Sequence, residues 1–218
     1  MSTQAEEMRR ELDRLFEAYH SIRTADIPGI DLYMDQVTTF LQENLSSLSR
    51  HPGEDKFLTK TMINNYVKNK VLMPPVKKKY SREHMMMLIM IYYMKSFLSI
   101  GDIREIISPL MERYASSPAS GSERKRDSAE RRRDHAEKKP ALRLQEIYES
   151  IVREIDTTIP DVQSEIIHQI ETTENAFAEV PEEDRPLLQR FALICRLSAE
   201  VYMRKLFIEK LLDSGELS

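Results

Sequence analysis

Apolar side chains recur at helical spacing over the first half of the chain. Between residues 8 and 22 they are separated mostly by three or four residues, which places them on one face of a helix spanning 3–22. The same spacing predicts four more helices, which begin at Asp31, after Thr59, after Ser81 and at Ile100. Prolines at 74 and 75 end the helix after Thr59, because proline cannot donate a backbone hydrogen bond.

A second group of helices is predicted after Pro140. The apolar positions indicate one helix that ends near Pro160, another that ends near Pro181, and a longer one over residues 185–213. This last helix has apolar residues around most of its circumference, so it must be covered on most sides. Two short helices of the same chain are too few to cover it, and we expect a homodimer formed through 185–213.

Residues 115–139 interrupt the helical pattern. No large apolar residue stands between positions 116 and 140, so this segment cannot bury enough surface to offset the entropy of ordering it. We interpret it as a charged linker. The predicted organisation is an N-terminal amphipathic helix (1–27), a helical domain (28–114), the linker (115–139) and a helical module for dimerisation or sensing (140–218).

The composition favours an all-α protein and excludes several classes. Only 5 of the 218 residues are glycine, whereas β-sandwiches and phosphate-binding loops need glycine at strained turns. A single cysteine, Cys195, excludes an internal disulfide and fits a cytoplasmic setting. The longest apolar run, 85–94, is ten residues long, about half of what a membrane span needs. The first residues lack the order of a signal peptide.

Positive charge is concentrated in one segment of an acidic chain. Residues 56–95 contain nine basic side chains and one acidic side chain, Glu83, whereas the whole chain has a net charge of -4. A compact basic block is expected of a surface that binds a polyanion such as nucleic acid. The alternative is a solvated charged face, which is the usual role of a charge run.

Residues 57–107 place this charge in the order of a helix-turn-helix domain with a wing. Our hypothesis is that these residues bind double-stranded DNA. The helix after Thr59 would enter the major groove, and the extended segment 76–80 would lie on phosphates. The candidate DNA-binding residues are Thr59, Lys60, Thr61, Asn64, Asn65, Tyr66, Lys68, Lys77, Lys78, Lys79, Tyr80 and Arg82. Asn pairs with adenine, and Thr and Lys are ordinary phosphate partners. Since alternate side chains of an extended segment face opposite ways, we expect either Lys77 and Lys79, or Lys78 and Tyr80, to face the DNA.

The same residues resemble the N-terminal DNA-binding domain of the MerR family of bacterial regulators. That family has a helix with Ile-Arg-Tyr-Tyr, then Gly-Leu-Leu, a proline, a wing, Tyr-Ser, a long helix and Phe-Ser-(Leu/Ile)-x-(Asp/Glu)-Ile. The corresponding stretches here are 63–66, 70–72, 74–75, 80–81 and 98–103. The resemblance implies an all-α protein with a MerR-like winged helix-turn-helix domain that acts as a dimeric transcriptional regulator. It also implies an effector, whose identity the sequence does not give.

A closer resemblance is to an uncharacterised family of Gram-positive bacteria. Its strings IDLYMDQVTTF, LTKTMINNY and PPVKKKYS stand here at 30–40, 58–66 and 74–81, and a similar hydrophobic helix follows. This resemblance covers 28–111 and implies the same winged helix, but little about biology, since the family is a domain of unknown function. The chain departs from the MerR pattern at Asn64 and Asn65, so only Tyr66 carries over as a phosphate contact, and the wing is shorter.

Enzymatic and metal-binding functions have little support in the sequence. Glu165 and His168 match half of a di-iron motif whose second copy is missing, and no phosphate loop or nucleophile elbow occurs. We therefore expect no catalytic residue, no metal and no cofactor. The methionines at 85–87, 90 and 94 are expected to fill the core. The alternative function is a protein–protein adaptor that keeps the winged-helix scaffold without reading bases.

Overall fold

The computed structural model describes residues 3–51, 57–115 and 142–215. These residues form seven α-helices: α1 (Thr3–Glu17), α2 (Met34–Leu45), α3 (Lys60–Lys68), α4 (Arg82–Met94), α5 (Ile100–Tyr114), α6 (Leu144–Glu174) and α7 (Arg185–Asp213). Two short strands, β1 (Leu32–Tyr33) and β2 (Lys79–Tyr80), pair antiparallel. The predicted all-α class is confirmed. The two-stranded sheet was not predicted from the sequence.

The chain divides into two compact units. Unit 1 comprises Met1–Arg23, Thr39–Phe57 and Ile151–Ser218, and unit 2 comprises Thr24–Thr38 and Leu58–Ser150. The units therefore do not follow the order of the chain, because segments distant in sequence are brought together in each. The predicted linker begins at residue 115, and its residues from 116 onward lie outside the part of the chain that the structure describes.

The core of unit 1 joins α1 to α6 and α7. Ala5 and Leu12 of α1 are buried together with Ile170 of α6 and Leu193 of α7. Half-buried apolar residues surround them: Met8, Phe16, Ile166, Ile167 and Leu197. The apolar face predicted for residues 3–22 is thus used for packing, although the helix ends at Glu17. The place of the N-terminal helix, which the sequence left open, is on α6 and α7.

Pro160 does not end a helix, so the predicted break near this residue is wrong. It lies inside α6, which runs without interruption from Leu144 to Glu174. The hydroxyl of Ser164 donates to the Pro160 carbonyl over 2.9 Å, one turn further on. An interior proline costs about 3 kcal/mol, and the packing of Ile166 and Ile170 beyond it offsets that cost. Likewise, Pro109 lies inside α5, which continues to Tyr114.

The core of unit 2 is built around α4. Met85, Met86 and Met87 are at most 2% exposed, which confirms the prediction that this methionine run fills the core; Met90 and Met94 are half-buried. α4 packs against α5 and β2. The burial of most of the helix explains its continuous apolar sequence.

The bounds of α7 agree with the predicted helix 185–213, but the described residues leave much of its surface uncovered. Eight large apolar residues of α7 are between 50% and 72% exposed: Leu187, Phe191, Ile194, Val201, Tyr202, Met203, Phe207 and Leu211. No α-helix within the described ranges is long and apolar enough to cross a membrane.

Candidate nucleic-acid interface

Helix α3 presents one polar face and buries the other. Its N-cap is Thr59, whose hydroxyl accepts a hydrogen bond from the Met62 backbone N–H over 3.2 Å, as expected of a threonine at this position. Ile63 and Tyr66 are buried. The exposed residues are Lys60, Thr61, Asn64, Asn65 and Lys68, which recur at one- and four-residue steps and so share a face. Five of the predicted DNA-binding residues therefore lie together on the surface of one helix.

Two of these side chains have partners within unit 2. Lys60 forms an ion pair with Asp35, in the first turn of α2, and both side chains are more than half exposed. The Asn69 side-chain amide donates to Asn65 Oδ1 over 2.9 Å and to the Asn65 carbonyl over 2.8 Å. A negative charge beside Lys60 weakens the attraction of this lysine to any anion.

The end of α3 requires a left-handed residue, and this residue is Lys70. Its φ is 58°. The Val71 N–H donates to the Tyr66 carbonyl over 2.9 Å, and the Lys70 N–H donates to the Val67 carbonyl over 3.1 Å, which is the hydrogen-bond pattern of a Schellman motif. Glycine is the usual residue at this position, because a Cβ makes the conformation costly. Lys70 stands where the MerR-like pattern has glycine.

The lysine-rich segment is a hairpin turn rather than an extended strand. Val76 and Lys79 exchange both backbone hydrogen bonds, at 3.1 and 2.9 Å. The two residues between them, Lys77 and Lys78, have φ values of 51° and 65°, as in a type I′ turn. The expected alternation of side chains is therefore wrong, because Lys77 and Lys78 form the tip of the turn and are both exposed.

The hairpin is anchored by pairing with β1. Leu32 is paired with Tyr80 and Tyr33 with Lys79. The Lys79 ammonium lies 5.1 Å from the centre of the Tyr33 ring, which is within the range of a cation–π contact. Tyr33 is 53% exposed and belongs to the same surface as the hairpin. Tyr33 is not among the residues predicted from the sequence, although an aromatic residue shortly before a predicted helix is a usable signal.

Three of the predicted residues, Tyr66, Tyr80 and Arg82, are buried or half-buried rather than exposed. Tyr66 and Tyr80 are 6% and 3% exposed, and burial raises the pKa of both phenols. Half-buried Arg82 donates through Nη2 to the Ile27 carbonyl over 2.9 Å. Tyr66 and Tyr80 are therefore core residues and Arg82 is held by the Ile27 carbonyl, whereas Lys77 and Lys78 are exposed charges.

His84 connects the hairpin to the turn before it. The Ser81 N–H donates to His84 Nδ1 over 3.1 Å, and His84 Nε2 lies 3.1 Å from the Met73 carbonyl. Because Nδ1 accepts a backbone N–H, the proton of the neutral ring is on Nε2, which donates to Met73. Burial lowers the pKa of His84 below its ordinary value, against the opposing effects of the Met73 carbonyl, Glu83 and Asp31.

The connection between α2 and α3 is longer than in a simple helix-turn-helix. It comprises residues 46–59, whereas that motif joins its helices by three or four residues.

Among the described residues there is no group of three or more His, Cys, Asp or Glu side chains arranged to hold a metal ion. The exposed residues of α3 and the hairpin offer hydrogen bonding by amides and hydroxyls, together with the positive charge of lysines.

Comparison with known proteins identifies one domain. A domain of unknown function, DUF1836, covers residues 22–125, which include α3, the hairpin, α4 and α5. No curated protein and no solved structure matched the chain. The domain begins at Ile22, close to the Thr24 at which unit 2 begins, and α7 lies outside it.

Proposed function

We propose that the DUF1836 domain binds double-stranded DNA and that the chain acts as a MerR-like transcriptional regulator. The polar face of α3 enters the major groove, and the tip of the 76–79 hairpin contacts phosphates. The observation that carries the proposal is the pair of exposed lysines, Lys77 and Lys78, at the tip of a hairpin. The exposed face of α3 supplies the amides and hydroxyls that read base edges.

Backbone strain at the hairpin tip supports a functional role for these lysines. A residue with a Cβ at positive φ costs about 1–2 kcal/mol, and Lys77 and Lys78 both adopt such a conformation. Asn-Gly would form the same turn at a lower cost. Strain of this kind persists mainly at functional sites, and two adjacent ammonium groups at an exposed tip are suited to bind a polyanion.

Electrostatics gives the second line of support. The segment 56–95 has one acidic residue against nine basic ones, and Lys60, Lys68, Lys77 and Lys78 are exposed. Each phosphate neutralised on B-DNA releases about 0.9 counterion. Phosphate contacts by Lys68, Lys77 and Lys78 would make the affinity strongly dependent on salt, with a slope of log K against log salt of about -2.7, since Lys60 is held by Asp35.

The test is a comparison of two charge-reversal variants of the full chain. Lys77→Glu/Lys78→Glu changes the tip, and Arg10→Glu/Arg14→Glu makes the same change of net charge on the exposed side of α1. DNA fragments are first selected from a genomic duplex pool at about 150 mM salt, a physiological condition. We expect the lysine variant to lose binding to the selected fragments and the arginine variant to retain it. Equal binding by both variants contradicts the assignment of the hairpin.

A protein–protein adaptor is the second candidate function. Three apolar residues near the hairpin, Ile30, Tyr33 and Val76, are between 48% and 70% exposed, and exposed apolar groups favour a protein partner. The long connection between α2 and α3 also departs from the usual DNA-binding motif. If the selection enriches no fragment and duplex binding disappears as salt rises, the adaptor becomes the better hypothesis.

A further inference from the structure

The exposed side of α7 carries a seam with the spacing of a coiled coil. Leu187, Phe191, Ile194, Ser198 and Val201 follow one another at steps of four, three, four and three residues, which is the a/d spacing of a heptad repeat. Its four apolar members are between 55% and 72% exposed, and Ser198 is exposed as well. The buried Leu193 and half-buried Leu197 belong to another side, which packs on unit 1.

We propose that this seam binds the same seam of a second copy of the chain, with the two α7 helices antiparallel. In a coiled coil of this kind, a positions of one helix face d positions of the other. Phe191 then faces Val201 of the second copy, and Ile194 faces Ser198. The twofold axis passes at the height of residue 196, midway along the seam, so every exposed apolar residue of the seam lies within the overlap of the two helices.

Charge at the two ends of the seam favours the antiparallel orientation. Asp184 precedes Leu187 by three residues, and Lys205 follows Val201 by four, so both continue the heptad spacing. Parallel helices in register would place Asp184 against Asp184 and Lys205 against Lys205. Antiparallel helices place Lys205 opposite Leu187 of the second copy and about one turn from its Asp184, where the charges attract. Lys205 also forms an exposed ion pair with Glu209 of its own chain, at 3.5 Å. Such a surface pair is too weak to prevent the attraction between Lys205 and Asp184 of the second copy.

Cys195 provides a reporter of the orientation. It is exposed, is the only cysteine of the chain and flanks the seam next to Ile194. In the antiparallel pair the two Cys195 residues lie on the same side of the interface, about 3 Å apart along the helix axis at 1.5 Å per residue. In a parallel pair they lie on opposite flanks of the seam. A short bis-maleimide therefore joins them only in the antiparallel arrangement.

The mass of the full chain and its response to two variants test the interface. The chain is 25.6 kDa, and we expect twice this mass by light scattering at micromolar concentration. Phe191→Glu should raise the dissociation constant of the dimer by at least about 30-fold, the loss of one hot-spot side chain. Met203→Glu is the matched control, because Met203 is 61% exposed on another side of the same helix. A monomeric wild-type chain, or equal dissociation of both variants, overturns the proposal.

A charge pair tests the register. A mixture of the Phe191→Glu chain with a Val201→Lys chain should form a heterodimer, because the antiparallel register sets Glu against Lys in one layer and leaves Phe191 against Val201 in the other. Parallel helices would gain no such pair. Failure of the mixture to dimerise, or absence of a Cys195 cross-link in a wild-type dimer, overturns the antiparallel arrangement. The proposal is independent of DNA binding, since α7 lies outside residues 22–125.

Discussion

Ser81 and His84 close a capping box at the first turn of α4. The backbone N–H of Ser81 donates to His84 Nδ1 over 3.1 Å, and the opposite ring nitrogen lies 3.1 Å from the Met73 carbonyl. The Tyr80 ring is edge-on to the imidazole, with centroids 5.6 Å apart. Two segments on either side of the hairpin are thus tied to one neutral side chain, and protonation of Nδ1 would replace its acceptor with a donor.

Acidification should therefore destabilise unit 2. The pKa of buried His84 is lowered from 6.5, chiefly by desolvation, so the unfolded chain takes up a proton at a higher pH than the folded chain does. The free energy of unfolding is then highest above about pH 6.5 and decreases as the pH falls below it. Urea denaturation between pH 5 and pH 8, an interval chosen around that ordinary value, measures this decrease.

Substitution of His84 separates this effect from general acid sensitivity. His84→Gln keeps an N3 acceptor for the Ser81 N–H and has no ionisable group, so its unfolding free energy should vary less with pH than that of the wild type. His168→Gln, at an exposed position of α6, is the control and should leave the pH dependence unchanged. An unchanged pH dependence in His84→Gln would show that other groups cause it.

Glycine at position 70 should stabilise the fold. Lys70 has a φ of 58° at the end of α3. Lys70→Gly removes the Cβ that makes this conformation costly, so it should increase the free energy of unfolding by about 1 kcal/mol. Lys68→Gly, at the last residue of α3, should decrease it instead, because glycine loses more conformational entropy on folding than lysine does. Chemical denaturation of both variants gives the comparison. A loss of stability in Lys70→Gly would mean that the side chain itself contributes a contact larger than the strain.

An Asn-Gly turn should separate the stability of the hairpin from its binding. Lys77→Asn/Lys78→Gly supplies the residues that a type I′ turn favours, so the free energy of unfolding should rise by about 1–2 kcal/mol. DNA binding should weaken at the same time, and the slope of log K against log salt should become shallower by about 1.8, because two phosphate contacts are lost. Greater stability with unchanged affinity would show that the tip does not contact DNA.

The helices of this chain follow from local sequence, and the exceptions have physical causes. The apolar spacing predicted the bounds of α7 and the buried face of α1. Pro160 was expected to end a helix because its ring removes one hydrogen bond, but residues beyond it pack against α1 and α7, and the gain from that packing is invisible in a local window. The short strand β1 was missed because two residues are too few for a periodic signal.

The exposed residues of α3 in the candidate interface could be predicted from the sequence, whereas the turn and the contacts of Tyr80 and Arg82 could not. The spacing of Lys60, Asn64 and Lys68 already placed them on one face. The turn at Lys77 and Lys78 was not predictable, because lysine pairs are not typical of a type I′ turn. The roles of Tyr80 and Arg82 depend on pairing with β1 and on the Ile27 carbonyl, contacts that bring together residues about fifty positions apart.

Removal of the Asp35 charge should strengthen DNA binding. Asp35 pairs with Lys60, and a lysine held by a carboxylate is less available to a phosphate. Asp35→Asn releases Lys60, so the slope of log K against log salt should become steeper by about 0.9, the contribution of one phosphate contact, and the affinity at low salt should increase. Glu43→Gln makes the same change of charge at an exposed position of α2, and it should alter the affinity less and leave the slope unchanged. Binding titrations over a range of salt concentrations distinguish a local effect of Lys60 from a general effect of net charge, because only the local effect changes the slope. Equal slopes for both variants would remove Lys60 from the interface and leave the hairpin as its basic part.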